Sequence, residues 1–133
     1  MALKLSLKPD ERVLVNGAWL RNGNRKGVLL VESNARIVRG RLLPRADGAH
    51  SADRAEALYA EAVWTYTTTE DPGERLARMQ SLASQAFEVL SRWAPDMKAP
   101  LPDPAEVGDG YPILRALREV IDAAHATPRG RVA

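Results

Sequence analysis

The sequence predicts an α+β fold: a small antiparallel β-sheet or open barrel of about five short strands, followed by a three-helix C-terminal part. Three observations predict it. Through the first part of the chain, apolar residues alternate with polar ones at a period of two, and turn dipeptides interrupt them. Beyond Asp53, apolar residues recur at i, i+3 and i+4 instead. The charge divides at the same place. Residues 1–45 hold ten Lys/Arg against three Asp/Glu, a net +7, and residues 46–133 hold nine against fourteen, a net −5. The expected organisation is therefore a basic antiparallel β module over 1–45 and a helical part over 46–133. The helical part packs on the module or extends from it, as one compact unit.

The elements follow in order. Leu3, Leu5 and Leu7 alternate with Lys4, Ser6 and Lys8, which gives a strand with one apolar and one basic face. Pro9-Asp10 turns the chain, because proline has no N–H for a ladder and Asp favours turns. Arg12 to Val15 is a second strand. Asn16-Gly17 accepts the positive φ angles of a type I′ turn and predicts a tight hairpin, so Ala18 to Leu20 is its return strand. Arg21 to Gly27 is a longer, cationic turn. Val28 to Glu32 is the most apolar strand and is expected at the centre of a meander or small barrel. Ser33-Asn34 turns the chain again into Ala35 to Arg39.

Gly40 to Ala49 mixes Gly, Pro and Asp without a period and reads as a linker. Ser51 or Asp53 then caps a helix with Ala55, Leu58, Tyr59, Ala62, Val63 and Tyr66 on its apolar face. Thr67-Thr68-Thr69 weakens its end, because β-branched residues lose rotamer freedom in a helix. Asp71-Pro72-Gly73-Glu74 has the chemistry of a helix start, with Asp as cap, Pro at the first position and Glu at the capping-box position. Leu76, Met79, Leu82, Ala83, Ala86, Val89, Leu90 and Trp93 form its stripe, and Pro95 ends it. A stiff proline connector over 95–110 leads to a last helix from about Tyr111 to Ala124. Residues 127–133 are expected to fray.

The residue inventory points away from catalysis. There are no cysteines, which excludes disulfides, zinc–thiolate sites and thiol chemistry. His50 and His125 have no metal-ligand neighbour at a useful spacing. Ser6 and Ser51 have no nucleophile elbow. Gly108-Asp109-Gly110 lacks the third glycine and the preceding strand of a phosphate loop, so it reads as a turn before a helix. Asp103 and Glu106 read as solvated loop acids. No cofactor or metal is implied. The N-terminus has no apolar secretory core, and no apolar run reaches the roughly 18 residues of a membrane span. The expectation is a soluble, cytoplasmic protein.

Binding is better supported. Lys4, Lys8, Arg12, Arg21, Arg25, Lys26, Arg36, Arg39 and Arg41 concentrate on the strands and their turns, and the arginine fork matches phosphate. Arg12, Arg21, Arg25, Lys26, Arg36, Arg39 and Arg41 are the candidate RNA-binding residues, with Asn22 and Asn24 as candidates for contacts to exposed bases. Trp19 is the one aromatic residue of this half. It reads as an anchor of the sheet's core, and no stacking platform is evident. Trp64 falls off the stripe of its helix and, with Trp93, is a candidate protein-contact residue.

The run Leu3-Lys4-Leu5-Ser6-Leu7-Lys8-Pro9-Asp10-Glu11-Arg12-Val13-Leu14-Val15-Asn16-Gly17-Ala18 closely resembles the start of the FlbT family of flagellar regulators. The resemblance continues through Asn22-Gly23, Val28 to Val31, Ala35 to Arg41, Ala55 to Val63, Gly110-Tyr111 and the Leu114–Leu117 helix. It implies a post-transcriptional repressor that binds the 5′ leader of flagellin messenger RNA and promotes its degradation, often together with the small protein FlaF. It implies no residue-level RNA site. The strand–turn–strand around Glu11, ending at Asn16-Gly17, is also similar in pattern to the start of the RNA-binding regulator CsrA. The rival expectation is a protein-interaction module whose helices hold flagellin or FlaF and affect the messenger indirectly. Oligomeric state stays open. Cations gathered on one sheet face favour RNA, and cations scattered around the rim favour the rival.

Overall fold

A computed structural model describes residues 3–45, 53–93, 102 and 106–126 of the chain. Five short strands come first: β1 Leu3–Leu7, β2 Arg12–Val15, β3 Ala18–Arg21, β4 Gly27–Val31 and β5 Ile37–Arg39. A 3₁₀ turn over Gly40–Leu42 follows, and then α1 Arg54–Thr68, α2 Pro72–Trp93 and α3 Tyr111–Ala126. The α+β class and the order of its parts are as the sequence predicts.

The strands form two open antiparallel sheets, one ordered β1-β4 and the other β3-β2-β5. This corrects two expectations. Only β2 and β3 are neighbours in both sequence and space, so the strands do not meander. β4 is not central: among the described residues it pairs with β1 alone, and its Val28 and Leu30 are more than half exposed. An apolar run shows that a strand has something to bury, but does not say against which neighbour. The hairpin forms as predicted. Asn16 and Gly17 both take positive φ, at 49° and 85°, and Val15 faces Ala18 across a two-residue turn. The first turn uses a left-handed residue too, Asp10 at φ 62°.

The helices begin where their caps put them. Asp53 accepts from the N–H groups of Ala55 and Glu56, which selects it over Ser51, a residue outside the described set. Asp71 accepts from the Glu74 N–H at 2.8 Å, with Pro72 at the first helical position. Thr67 and Thr68 remain helical. Their hydroxyls donate back to the carbonyls of Val63 and Trp64 one turn earlier, so the side chains are satisfied within the helix. The remainder of the expected linker, residues 46–49, lies outside the described residues, as do residues 94–101 and 103–105 of the proline connector and the tail over 127–133.

The predicted apolar face of α1 is buried throughout, and with Ile113, Leu114, Leu117, Val120, Ile121 and Ala124 of α3 it meets Met79, Ala83, Ala86 and Leu90 of α2. From the β3-β2-β5 sheet, Leu14 and Val38 join this same core. Each fully buried leucine, such as Leu117, contributes roughly 1.5–3 kcal/mol by leaving water.

Two buried arginines fix the corners. Arg75 donates to the carbonyls of Asp109, Thr69 and Glu70, at 2.8, 2.9 and 3.2 Å, joining the α1–α2 connection to the turn before α3. That turn is as the sequence reads it: Asp109 accepts from the Tyr111 N–H and from the Tyr66 hydroxyl. Arg118 of α3 donates both terminal nitrogens to Glu56 of α1, at 2.7 and 2.9 Å, also reaches Asp122, and lies 4.5 Å over the Tyr59 ring. Burial alone disfavours the Arg118 charge, but Glu56 and Asp122 outweigh it and push the guanidinium pKa up.

Candidate interaction site

The register of the three-stranded sheet decides which side chains share a face. Arg12, Leu14, Trp19, Arg21 and Val38 lie on one side, and Val13, Val15, Ile37, Leu20 and Arg39 lie on the other. Because Leu14 and Val38 enter the helical core, the first side is the one turned toward the helices.

The predicted cations therefore divide. Arg12 lies with its guanidinium 4.2 Å from the centre of the Trp19 ring, a cation–π contact. Arg21 stands opposite Arg12 on the same face, exposed, 3.7 Å from Asp10. Arg25 and Lys26 project from the β3–β4 turn, Arg41 sits in the 3₁₀ turn, and all three are exposed without an ion pair to any described residue. Arg36 donates from Nε to the Tyr66 carbonyl at 2.6 Å, against the end of α1. Arg39 is on the reverse face, paired with Glu11 at 2.7 Å and donating to the Ser6 carbonyl at 2.8 Å. The Lys8 N–H, the same Arg39 guanidinium and the nearby charges hold the Glu11 carboxyl below the usual glutamate range. The seven cations do not form one face.

Asn22 also departs from its expected role. Its amide donates to the carbonyls of Leu7, Lys8 and Arg25 and closes the β3–β4 turn, so it is not presented to a ligand. Asn24 is exposed.

A groove of about 720 Å³ lies between the β2–β3 hairpin and helices α1 and α2. Arg12, Trp19, Trp64, Arg45, Arg78 and Leu82 are among its walls. Trp64 is 54% exposed, in keeping with its place off the α1 stripe, and its ring lies against the hairpin turn at Gly17. Trp19 is 43% exposed and does not anchor the core, which corrects the sequence reading. The sheet keeps Leu14 for the core and leaves Trp19, its cross-strand neighbour, at the mouth of the groove. Trp93 closes α2 as its final residue.

The groove cations are unequally engaged. Arg45 pairs with Glu56 and Asp122, and Arg78 is 3.9 Å from Glu74. Arg12 keeps its charge on an aromatic face with no carboxylate paired to it among the described residues. The groove brings Trp19 and Trp64, positions 45 residues apart in sequence, to the same walls, and this had no signal in either half alone. His125 faces Asp53, and among the described residues no cluster of His, Asp or Glu is disposed to hold a metal ion. No described helix is long and apolar enough to cross a membrane.

The family model for flagellar protein FlbT matches residues 3–126. The chain belongs to the FlbT family. Its relatives include the "Probable flagellum biosynthesis repressor protein FlbT" of Caulobacter sp. (strain K31), 43% identical over 54 residues that make up 41% of this chain and 41% of that one. They also include the "Flagellum biosynthesis repressor protein FlbT" of Caulobacter vibrioides, 45% identical over 47 residues, 35% of this chain and 33% of the relative. The matched stretches thus span well under half of those FlbT proteins. No solved structure matches the chain.

Proposed function

We propose that this chain is a repressor of flagellum biosynthesis that binds the 5′ leader of flagellin messenger RNA and promotes its degradation. The observation that carries the reading is the groove, whose walls hold two exposed tryptophans and an arginine in no ion pair with a described residue. Single-stranded RNA offers bases that stack on aromatic rings and phosphates that bind guanidinium groups. Arg12 and Arg21, opposite each other on the groove side of the sheet, suit the phosphates, and Arg25 is an exposed cation of the β3–β4 turn that follows. Arg36 and Arg39 have positioning roles in this reading, since their guanidinium groups already bond to the protein. The names of the Caulobacter relatives support the repressor assignment.

A second reading is favoured by the apolar surface around the hairpin. Trp19, Leu20 and Trp64 are all exposed, and the cations do not share one face. On that reading the groove holds a protein, flagellin or FlaF, and the messenger is affected indirectly.

Purified protein titrated with leader RNA at two salt concentrations separates the two. RNA binding through several phosphates weakens steeply with salt. Arg12→Glu and Arg21→Glu are each expected to lower RNA affinity about tenfold or more, and Trp64→Ala by a stacking contribution of about 1–3 kcal/mol. RNA binding that is absent or indifferent to these changes, together with flagellin binding lost on Trp64→Ala, replaces the first reading by the second.

A further inference from the structure

We propose that β4 is the seam of a symmetric homodimer, in which the free edge of one copy pairs antiparallel with the same edge of a second copy. Among the described residues, β4 pairs with β1 alone, so its other edge presents backbone donors and acceptors with no strand beside them. Such an edge is a template for another strand. Proteins commonly guard it with lysine or proline. Within its own length β1 is guarded in that way by Lys4. β4 is not, because Val28 to Val31 is an uninterrupted apolar run.

The occupant is identified by a pattern that complements itself. Leu29 faces the buried Leu5 of β1, which turns Val28 and Leu30 outward, and both are more than half exposed. Continuing the alternation one residue beyond each end of the strand places Lys26 and Glu32 on that same outward face, and both are exposed. Neither is in an ion pair with a described residue. Antiparallel pairing about a twofold axis at Leu29 sets Val28 opposite Leu30 of the second copy and Lys26 opposite its Glu32. Every contact then occurs twice. The outward face gains two apolar cross-strand pairs flanked by two opposite-charge pairs, the combinations that stabilise a sheet, and the two β1-β4 sheets become one of four strands. A shift of one residue puts the outward side chains of one copy opposite inward ones of the other, so the pattern also fixes the register. An isologous contact of this kind closes on itself and does not propagate into a fibre.

Sedimentation of the whole chain across a wide concentration range tests the proposal. The expected result is a reversible monomer–dimer equilibrium. Lys26→Glu and Glu32→Lys should each raise the dissociation constant about tenfold or more, because each sets like charges opposite one another twice. The double exchange should restore it. Since the chain has no cysteine, the register can be read chemically. A mixture of Val28→Cys and Leu30→Cys proteins should cross-link on mild oxidation, much faster than either protein alone. All four positions are exposed, and circular dichroism verifies that each variant is folded. A chain that stays monomeric at every concentration overturns the proposal. So does a dimer indifferent to both charge reversals, or one in which either cysteine protein cross-links as readily alone as in the mixture.

Discussion

At the scale of single residues, the fold depends on a few backbone conformations that most side chains resist. Gly110 is the clearest. It has φ 112°, and a β-carbon there would lie 2.6 Å from the Met79 sulfur. The position needs both the left-handed backbone and the missing side chain, since Met79 is fully buried in the helical core. Gly110→Ala should therefore lower stability by about 1–3 kcal/mol in a denaturant titration. Gly108 is left-handed as well, but open space surrounds it, so Gly108→Ala should be the milder change. The sequence marks this segment as a turn through its glycines. It does not show which glycine is confined, because that depends on a methionine brought in from another helix.

At the scale of elements, the helices were the most legible part and the sheet was the least. Ala55, Leu58, Tyr59, Ala62, Val63 and Tyr66 lie on one face of α1 because of the helical repeat itself, and all are buried. The Asn16-Gly17 hairpin was equally plain, because the turn chemistry is local. Strand pairing is not local. A period of two assigns faces, whereas the partner of β4 is decided by a chain segment twenty residues earlier in sequence. The same limit hid the groove: the exposure of Trp64 could be inferred from its angular position, but its sharing a groove with Trp19 could not. Glu56 was also missed. It sits on the apolar face of α1, only 2% exposed, because α3 supplies Arg118. Replacing one partner leaves the other charge buried. Because Arg45 still pairs with Glu56, Arg118→Met is expected to destabilise the protein by about 1–3 kcal/mol, and Glu56→Gln combined with Arg118→Met by clearly less than the sum of the two single changes. Thermal or denaturant unfolding of the three variants measures the coupling.

At the scale of the whole molecule, the β module depends on one exchange of charge between its turns and strands. Glu11, in the turn after β1, binds Arg39 of β5, and Arg39 in turn reaches the carbonyl of Ser6 in β1. The two sheets are tied at this point. The Glu11 carboxyl titrates below its usual range in the folded protein, first because of the Lys8 N–H and then because of Arg39. The unfolded chain therefore takes up this proton at higher pH than the folded one. The stability that Glu11 contributes is complete above the ordinary glutamate range, roughly pH 4 to 5, and is lost as pH falls through the lower folded value. Wild type should exceed Glu11→Gln in melting temperature near neutrality, and the gap should close in acid. A gap independent of pH would show that the carboxylate charge is not what holds the turn.

The clamp at the corner between α1, α2 and α3 has a different consequence. Arg75 grips only main-chain oxygens, so its hold on the α1–α2 connection does not depend on which side chains stand at Thr69 and Glu70, whereas Asp109 also serves Tyr66 and Tyr111 through its carboxylate. Evolution can rewrite the chemistry of positions 69 and 70 without reshaping that connection. The liberty rests on a single guanidinium, whose fan of donors no lysine can reproduce.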